Sequence, residues 1–257
     1  MTPRRVGILG GMGPEATVLL MQRILGATPA TDDADHVPLI VDQNTQVPSR
    51  IRRLIEGRGE DPGPVLVAMA RRLEQAGAEA LAMPCNTAHH YAHLIRQAVS
   101  VPFIDMVELS VARAAERPGP VGILASPAVR RVGLFDTALE RFGRTAVYPS
   151  DEDALLAAIR ALKSSGPSPE TRQVLKDASA ELLRAGAVVQ LIACTEFSLI
   201  SEETDPRCTA FDTLDELAAA VVAFSRGKTA EPRKDDGNVA PALRKSAGHP
   251  TQQGVDP

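Results

Sequence analysis

Val6-Gly-Ile-Leu-Gly-Gly-Met-Gly-Pro-Glu-Ala-Thr17 reads as a short strand, a glycine turn and the start of a helix. A near copy of its opening returns as Val121-Gly-Ile-Leu-Ala125. Apolar runs of this length suit strands of a parallel sheet, and Pro14 suits the first helical position, where a missing N–H costs nothing. A second pair of matching stretches occurs in the same order. Met83-Pro-Cys-Asn-Thr87 and Ile192-Ala-Cys-Thr-Glu196 each place a cysteine just past an apolar run. Two copies of one ordered pattern imply a duplicated half-chain.

Short apolar runs alternate with segments of helical period across both copies, the pattern of βαβ units. Strands are expected at Val6–Leu9, Leu39–Asp42, Ala80–Met83, Phe103–Ile104, Val121–Leu124, Ala146–Tyr148, Val188–Ile192 and Ala210–Phe211. Between and after them, four sets of residues each line one helix face. They are Leu66, Met69, Leu73 and Ala76; Tyr91, Leu94, Ile95 and Ala98; Val174, Leu175, Ala178 and Leu182; and Leu214, Leu217, Ala218, Val221 and Val222. The expected fold is α/β, with two pseudo-symmetric domains, each a four-stranded parallel sheet flanked by helices. Residues 1–108 form the first half and 109–212 the second, with a helix at about 213–228 packing back on the first. Residues 229–257 carry charge, Pro, Gly and Gln without apolar period and read as a disordered tail. Ligands gather at the carboxyl ends of parallel strands, so facing halves would form a cleft with one cysteine on each wall.

The 257 residues are 44% hydrophobic and 23% charged, enough for one large or two small α/β domains with a core. A net charge of −4 and a pI near 5.8 leave no excess of cations for phosphates, which argues against a nucleic-acid partner. The apolar runs fall short of the roughly 20 residues a membrane helix needs, and the one near the N-terminus is too short for a secretory signal. A cytoplasmic protein with free thiols is expected, since three cysteines do not make a disulfide framework.

Cys85 and Cys194 carry the chemistry. A helix N-terminus after each would favour the thiolate, below the usual cysteine value of about 8.5. One thiolate and one thiol on opposing walls would supply a base and an acid on the two faces of a planar carbanion. The plainer alternative is that both cysteines are small hydrophobes of the core, the role expected for Cys208. Gly11-x-Gly13-x-x-Ala16 also fits a dinucleotide fingerprint, with Asp42 where a ribose-binding acid would stand, so a nucleotide-dependent oxidoreductase is a rival. Against it, Glu15 puts a negative charge on the first helical turn and Pro14 removes an N–H. His89 and His93 make an i, i+4 pair, but no third ligand accompanies it, and no metal is expected.

Gly10-Gly-Met-Gly-Pro-Glu-Ala-Thr17, Met83-Pro-Cys-Asn-Thr-Ala-His89 and Cys194-Thr-Glu196 resemble the signatures of the aspartate/glutamate racemases that work without pyridoxal phosphate. The similarity spans about residues 4 to 228 and lies nearest the aspartate racemase branch. The resemblance implies a cofactor-independent amino-acid racemase acting on a small amino-acid substrate, aspartate ahead of glutamate, through Cys85 and Cys194. It also implies a homodimer. It makes Asn44, Asn86, Thr87 and Thr195 binders of the substrate backbone, with Met12 and Ser126 beside them. Arg50 and Lys163 would grip a distal carboxylate, Arg50 with its bidentate geometry. His89 would act as a supporting hydrogen-bonder, and Glu196 would meet the substrate ammonium or steady Cys194.

Several positions depart from the family pattern: Ala193 for Gly, Ser198 for Pro, Ser126-Pro-Ala-Val129 for a threonine- and glycine-rich turn, and Val47-Pro-Ser-Arg-Ile51 without an Asp before the Arg. They leave the thiols intact but open two alternatives: a broad-specificity racemase, or a relative that binds ligand without turnover.

Overall fold

Both sheets form with the same strand order. In the computed structural model, which describes residues 2–228, β1 (Val6–Gly10) lies between β2 (Leu39–Gln43) and β3 (Ala80–Ala82), and β3 pairs with β4 (Phe103–Ile104), all parallel. The second sheet repeats this with β5 (Val121–Leu124) between β6 (Ala146–Val147) and β7 (Val189–Ile192), and β7 pairing with β8 (Thr209–Asp212). The orders β2-β1-β3-β4 and β6-β5-β7-β8 are therefore equivalent. All eight expected strands are present, with shifts at their ends: β6 stops before Tyr148, and Val188 stays outside β7, half exposed. The tail expected over 229–257 lies outside the described residues.

The repeated glycine has a packing cause. A Cβ on Gly7 would meet Leu81 at 2.8 Å and Leu73 at 3.1 Å, and one on Gly122 would meet Leu182 at 2.9 Å. Leu73 belongs to α3 (Gly63–Gln75) and Leu182 to α9 (Pro169–Arg184), so each helix lies directly against the first strand of its half. Leu66, Met69 and Leu73 are buried as their spacing requires, but Ala76 sits at the end of α3 and is exposed, while Ala70 takes a core position. Tyr91 is buried ahead of α4 (Ala92–Ala98), in the 3₁₀ turn that precedes it.

The two halves exchange helices. α5 (Met106–Ala115) leaves β4 but lays Val107, Val111 and Ala114 against Val121 and Ile123 of the second sheet. The last helix, α10 (Thr213–Ser225), leaves β8 and buries Leu214, Leu217, Ala218 and Val221 against Val6, Ile8 and α1 (Pro14–Ala27) of the first. Arg4 fastens the end of α10, its N–H donating to the Ser225 carbonyl at 2.9 Å and its guanidinium lying over Phe224. An ion pair closes the same junction: Arg23 of α1 donates to Asp212 at 2.7 Å and to the Ser198 carbonyl at 3.0 Å. Asp212 also accepts from Ser198 at 2.8 Å and from the Leu214 N–H at 2.9 Å, and so caps α10. Among the described residues, no helix is long and apolar enough to cross a membrane.

Candidate active site

Cys85 and Cys194 sit just beyond β3 and β7, the equivalent strands of the two sheets, and are 6% and 5% exposed. The segments after them are 3₁₀ turns, Thr87–Tyr91 and Phe197–Glu203, not the regular helices expected from the sequence. These give a weaker and less aligned dipole than a long helix. At Cys194 the expected lowering of the thiol is reversed. Burial and the adjacent Glu196 carboxylate push its proton affinity well above the ordinary thiol value, and Lys163 opposes them only in part. The Cys194 thiol donates to Glu196 Oε2 at 3.0 Å. Cys194 is therefore held protonated, with an acceptor for its proton already in contact.

Glu196 has a second partner. Lys163, near the end of α8 (Glu152–Ser165), places Nζ 3.0 Å from Glu196 Oε1. Burial disfavours the ammonium, but the charges of Glu196, Cys85 and Cys194 outweigh it and hold Lys163 above the usual lysine value. Both thiols thus lie within electrostatic reach of one cation, and the two halves meet at it.

The glycine turn closes this junction from the first half. A Cβ on Gly13 would lie 3.2 Å from Glu196 Oε1, and one on Gly11, at φ +88°, would strike the Asn44 backbone at 2.4 Å. The Glu196 carboxylate beside Gly13 is a further negative charge at this turn, unfavourable to a pyrophosphate. Asp42, the candidate ribose acid, is paired with Arg72 at 2.7 Å. Both observations weigh against the dinucleotide alternative.

Asn86 is 2% exposed, and its Nδ2 donates to Thr213 Oγ1 at 2.9 Å. The Thr213 hydroxyl spends its one hydrogen on the Ile192 carbonyl at 3.0 Å, so it can only accept from Asn86. That fixes the amide orientation and leaves the buried Asn86 Oδ1 without a partner. An unsatisfied acceptor next to Cys85 suits a ligand donor such as an ammonium. Thr213 carries no local motif. Its only sequence signal is the recurrence of an acid at the end of the fourth strand of each half, Asp105 just past β4 and Asp212 closing β8, each capping the helix that crosses to the other half.

His89 is buried and supports the Cys85 turn. Its Nδ1 donates to the Cys85 carbonyl at 2.9 Å and its Nε2 accepts from the Met106 N–H at 3.2 Å, so one neutral tautomer meets both. With both ring nitrogens engaged, His89 is not free to pair with His93 around a metal. His89→Phe is expected to strand the buried Met106 N–H at a cost of about 1–3 kcal/mol, while the Cys85 carbonyl keeps the Ala88 N–H at 3.2 Å. Thermal unfolding of the variant checks this, and an unchanged transition would contradict it.

The other expected contacts are more local. Arg50 opens α2 (Arg50–Leu54), where its Nη1 donates to the Val47 and Pro48 carbonyls at 3.3 and 3.0 Å and its Nη2 to the Met12 carbonyl at 3.4 Å. Its Nε is buried without a partner. Asn44 Oδ1 accepts from the Gln46 N–H in a turn, and Ser126 caps α6 (Pro127–Arg131), which α7 (Leu134–Glu140) follows, by accepting from the Ala128 N–H. Thr195 is buried beside Cys194, and Thr87 is half-buried. Cys208 stands apart from this network, 3.9 Å from Ser179 Oγ.

A duplicated parallel α/β fold with a polar, thiol-bearing junction fits the racemase class of isomerases. The chain belongs to the Asp/Glu/hydantoin racemase family, whose model matches residues 9–223. It is 23% identical to the broad specificity amino-acid racemase RacX of Bacillus subtilis over 223 residues, 85% of this chain and 96% of that protein. Over 176 residues it is 30% identical to a glutamate racemase of Pseudomonas aeruginosa, covering 63% of this chain and 65% of that one. Its structure matches the aspartate racemase of Picrophilus torridus with a TM-score of 0.78 at 28% identity, covering 87% of this chain and 94% of the other.

Proposed function

We propose that this chain racemises an acidic amino acid, aspartate ahead of glutamate, with Cys85 and Cys194 as the acid–base pair and no cofactor. The observation that carries this is the Cys194–Glu196–Lys163 chain, with Cys85 at the equivalent strand end of the other sheet and within electrostatic reach of Lys163. One thiolate takes the α-proton: the C–H bond breaks, an S–H bond forms, and the electron pair remains on the substrate as a carbanion spread over the α-carboxylate. The other thiol returns a proton to the opposite face, and the roles reverse for the other enantiomer. Asn86 Oδ1 receives the substrate ammonium, while Asn44, Thr87 and Thr195 bind the backbone groups and Met12 and Ser126 bound the site. Preorganised donors at the α-carboxylate stabilise the charge that develops there. Lys163 and the free Nε of Arg50 take the distal carboxylate.

A second reading, broad specificity, has an observation of its own. Arg50 and Lys163 are both engaged within the protein, so a neutral side chain meets no unsatisfied cation beyond Arg50 Nε. Chiral separation of each L- and D-amino acid after incubation without added cofactor distinguishes the two. Interconversion of aspartate well ahead of alanine and asparagine is expected. Comparable rates for all would favour broad specificity, and no interconversion of any would favour a relative that only binds. The free thiols support the cytoplasmic address, and family resemblance supports the homodimer. Sedimentation of the full chain tests the latter.

A further inference from the structure

Glu196 touches two groups that need not respond to the same event. One oxygen accepts the Cys194 thiol proton at 3.0 Å, and the other lies 3.0 Å from the Lys163 ammonium. The glycine turn of the other half comes close to the same carboxylate, where a Cβ on Gly13 would lie 3.2 Å from Glu196 Oε1 and 4.0 Å from Glu15 Oε2, and Cys85 lies within electrostatic reach of the same ammonium. We infer that Lys163 couples recognition of an acidic side chain to priming of Cys194: a substrate carboxylate that draws Lys163 off Glu196 Oε1 turns Glu196 into a stronger base for the Cys194 proton. This rests on the acidic-substrate reading above.

The sign is set by the geometry. Glu196 and Cys194 together carry one negative charge, either as thiol with carboxylate or as thiolate with carboxylic acid. Lys163 taken alone favours the Cys194 thiolate, but its ammonium lies in contact with the carboxylate and farther from the sulfur, so within the pair it favours the negative charge on Glu196 and the proton on Cys194. Moving the ammonium to a substrate carboxylate removes that bias. The S–H bond then breaks, an O–H bond forms at Glu196 Oε2, and the thiolate is ready for the α-proton on its face. No external reagent enters, and the proton returns to sulfur when turnover ends. A neutral substrate of the same shape leaves Lys163 in place and the thiol unprimed. Discrimination therefore appears in the chemical step that uses Cys194 as base, in addition to binding.

The test uses asparagine, the amide counterpart of aspartate, in deuterated water, with α-deuterium incorporation measured for each enantiomer. The enantiomer facing Cys194 is identified as the one whose exchange is lost in Cys194→Ser. Lys163→Met is expected to raise exchange of that enantiomer relative to the other by about tenfold, the effect of one pK unit between protonation states. The ratio is read beside the absolute rate on the Cys194 face, which must itself rise, because Lys163 also lies within reach of Cys85 and its loss bears on that face too. Lys163→Arg keeps a cation and is expected to keep the wild-type ratio, while Glu196→Gln added to Lys163→Met abolishes the gain. An unchanged ratio in Lys163→Met, or no asparagine exchange by that variant, overturns the coupling while normal aspartate turnover by the wild type leaves the racemase reading standing. Absence of aspartate exchange by the wild type defeats the racemase reading itself.

Discussion

Cys194→Ser and Cys85→Ser are each expected to lower kcat for racemisation by about three orders of magnitude, within the range of about 10²–10⁴ that a positioned acid or base supplies. A serine hydroxyl has nearly the shape of the thiol, and in Cys194→Ser it can still donate to Glu196, so the burial and the local hydrogen bond survive. What is lost is a proton acceptor of usable strength, since a hydroxyl gives up its proton far less readily than a thiol. The loss falls on kcat, because neither thiol is assigned a contact that holds the substrate. Steady-state kinetics with each enantiomer, beside circular dichroism of both variants, checks the result. Folded variants with near wild-type kcat would remove the thiols from the mechanism.

Arg23→Met is expected to give the largest loss of stability, about 3 kcal/mol. Arg23 is the cation for Asp212, whose carboxylate is 4% exposed, and it also binds the Ser198 carbonyl and Asp215. Removing one partner of a buried pair leaves the other charge uncompensated, at a cost of about 3–5 kcal/mol; the partial exposure of Arg23 sets the lower end. For a chain of this size each kcal/mol moves the midpoint by roughly 2–4 °C, so Tm falls by about 6–12 °C. The double variant Arg23→Met with Asp212→Asn is expected to recover most of the loss, because the amide carries no charge and its carbonyl can still accept from Ser198 and the Leu214 N–H. Calorimetry of both variants decides it, and a single variant with an unchanged Tm would show that the pair does not hold the junction.

The sheets were legible because their signals are local. Val6-Gly-Ile-Leu and its copy at Val121 declare a strand within four residues, and the glycine in each answers to a helix leucine packed against it. The cysteines were legible for the same reason, as matching points of a repeat. The features that escaped the sequence depend on partners far apart along the chain. Thr213 orients Asn86 across 127 positions and Arg23 meets Asp212 across 189, with no periodicity that connects either pair. Lys163 and Glu196 were both picked out, but their contact was not, because it forms only when α8 and the end of β7 are packed together. The direction of the Cys194 shift was misread for a related reason. A helix dipole can be anticipated from the residues after a strand, whereas burial beside a carboxylate exists only in the folded chain. The strand ends moved by a residue or two, as at Tyr148 and Val188, where pairing with the neighbouring strand decides what propensity leaves open.

The central claim is that two thiols act on opposite faces of one α-carbon. α-Deuterium incorporation measured separately for L- and D-aspartate, in the wild type and both single-thiol variants, addresses it most directly. Each variant keeps one base and loses the acid on the other face. Cys85→Ser is therefore expected to exchange the α-proton of one enantiomer without inverting it, and Cys194→Ser that of the other. Exchange of both enantiomers by either variant, or inversion at the wild-type rate with one cysteine replaced, would contradict the two-thiol account.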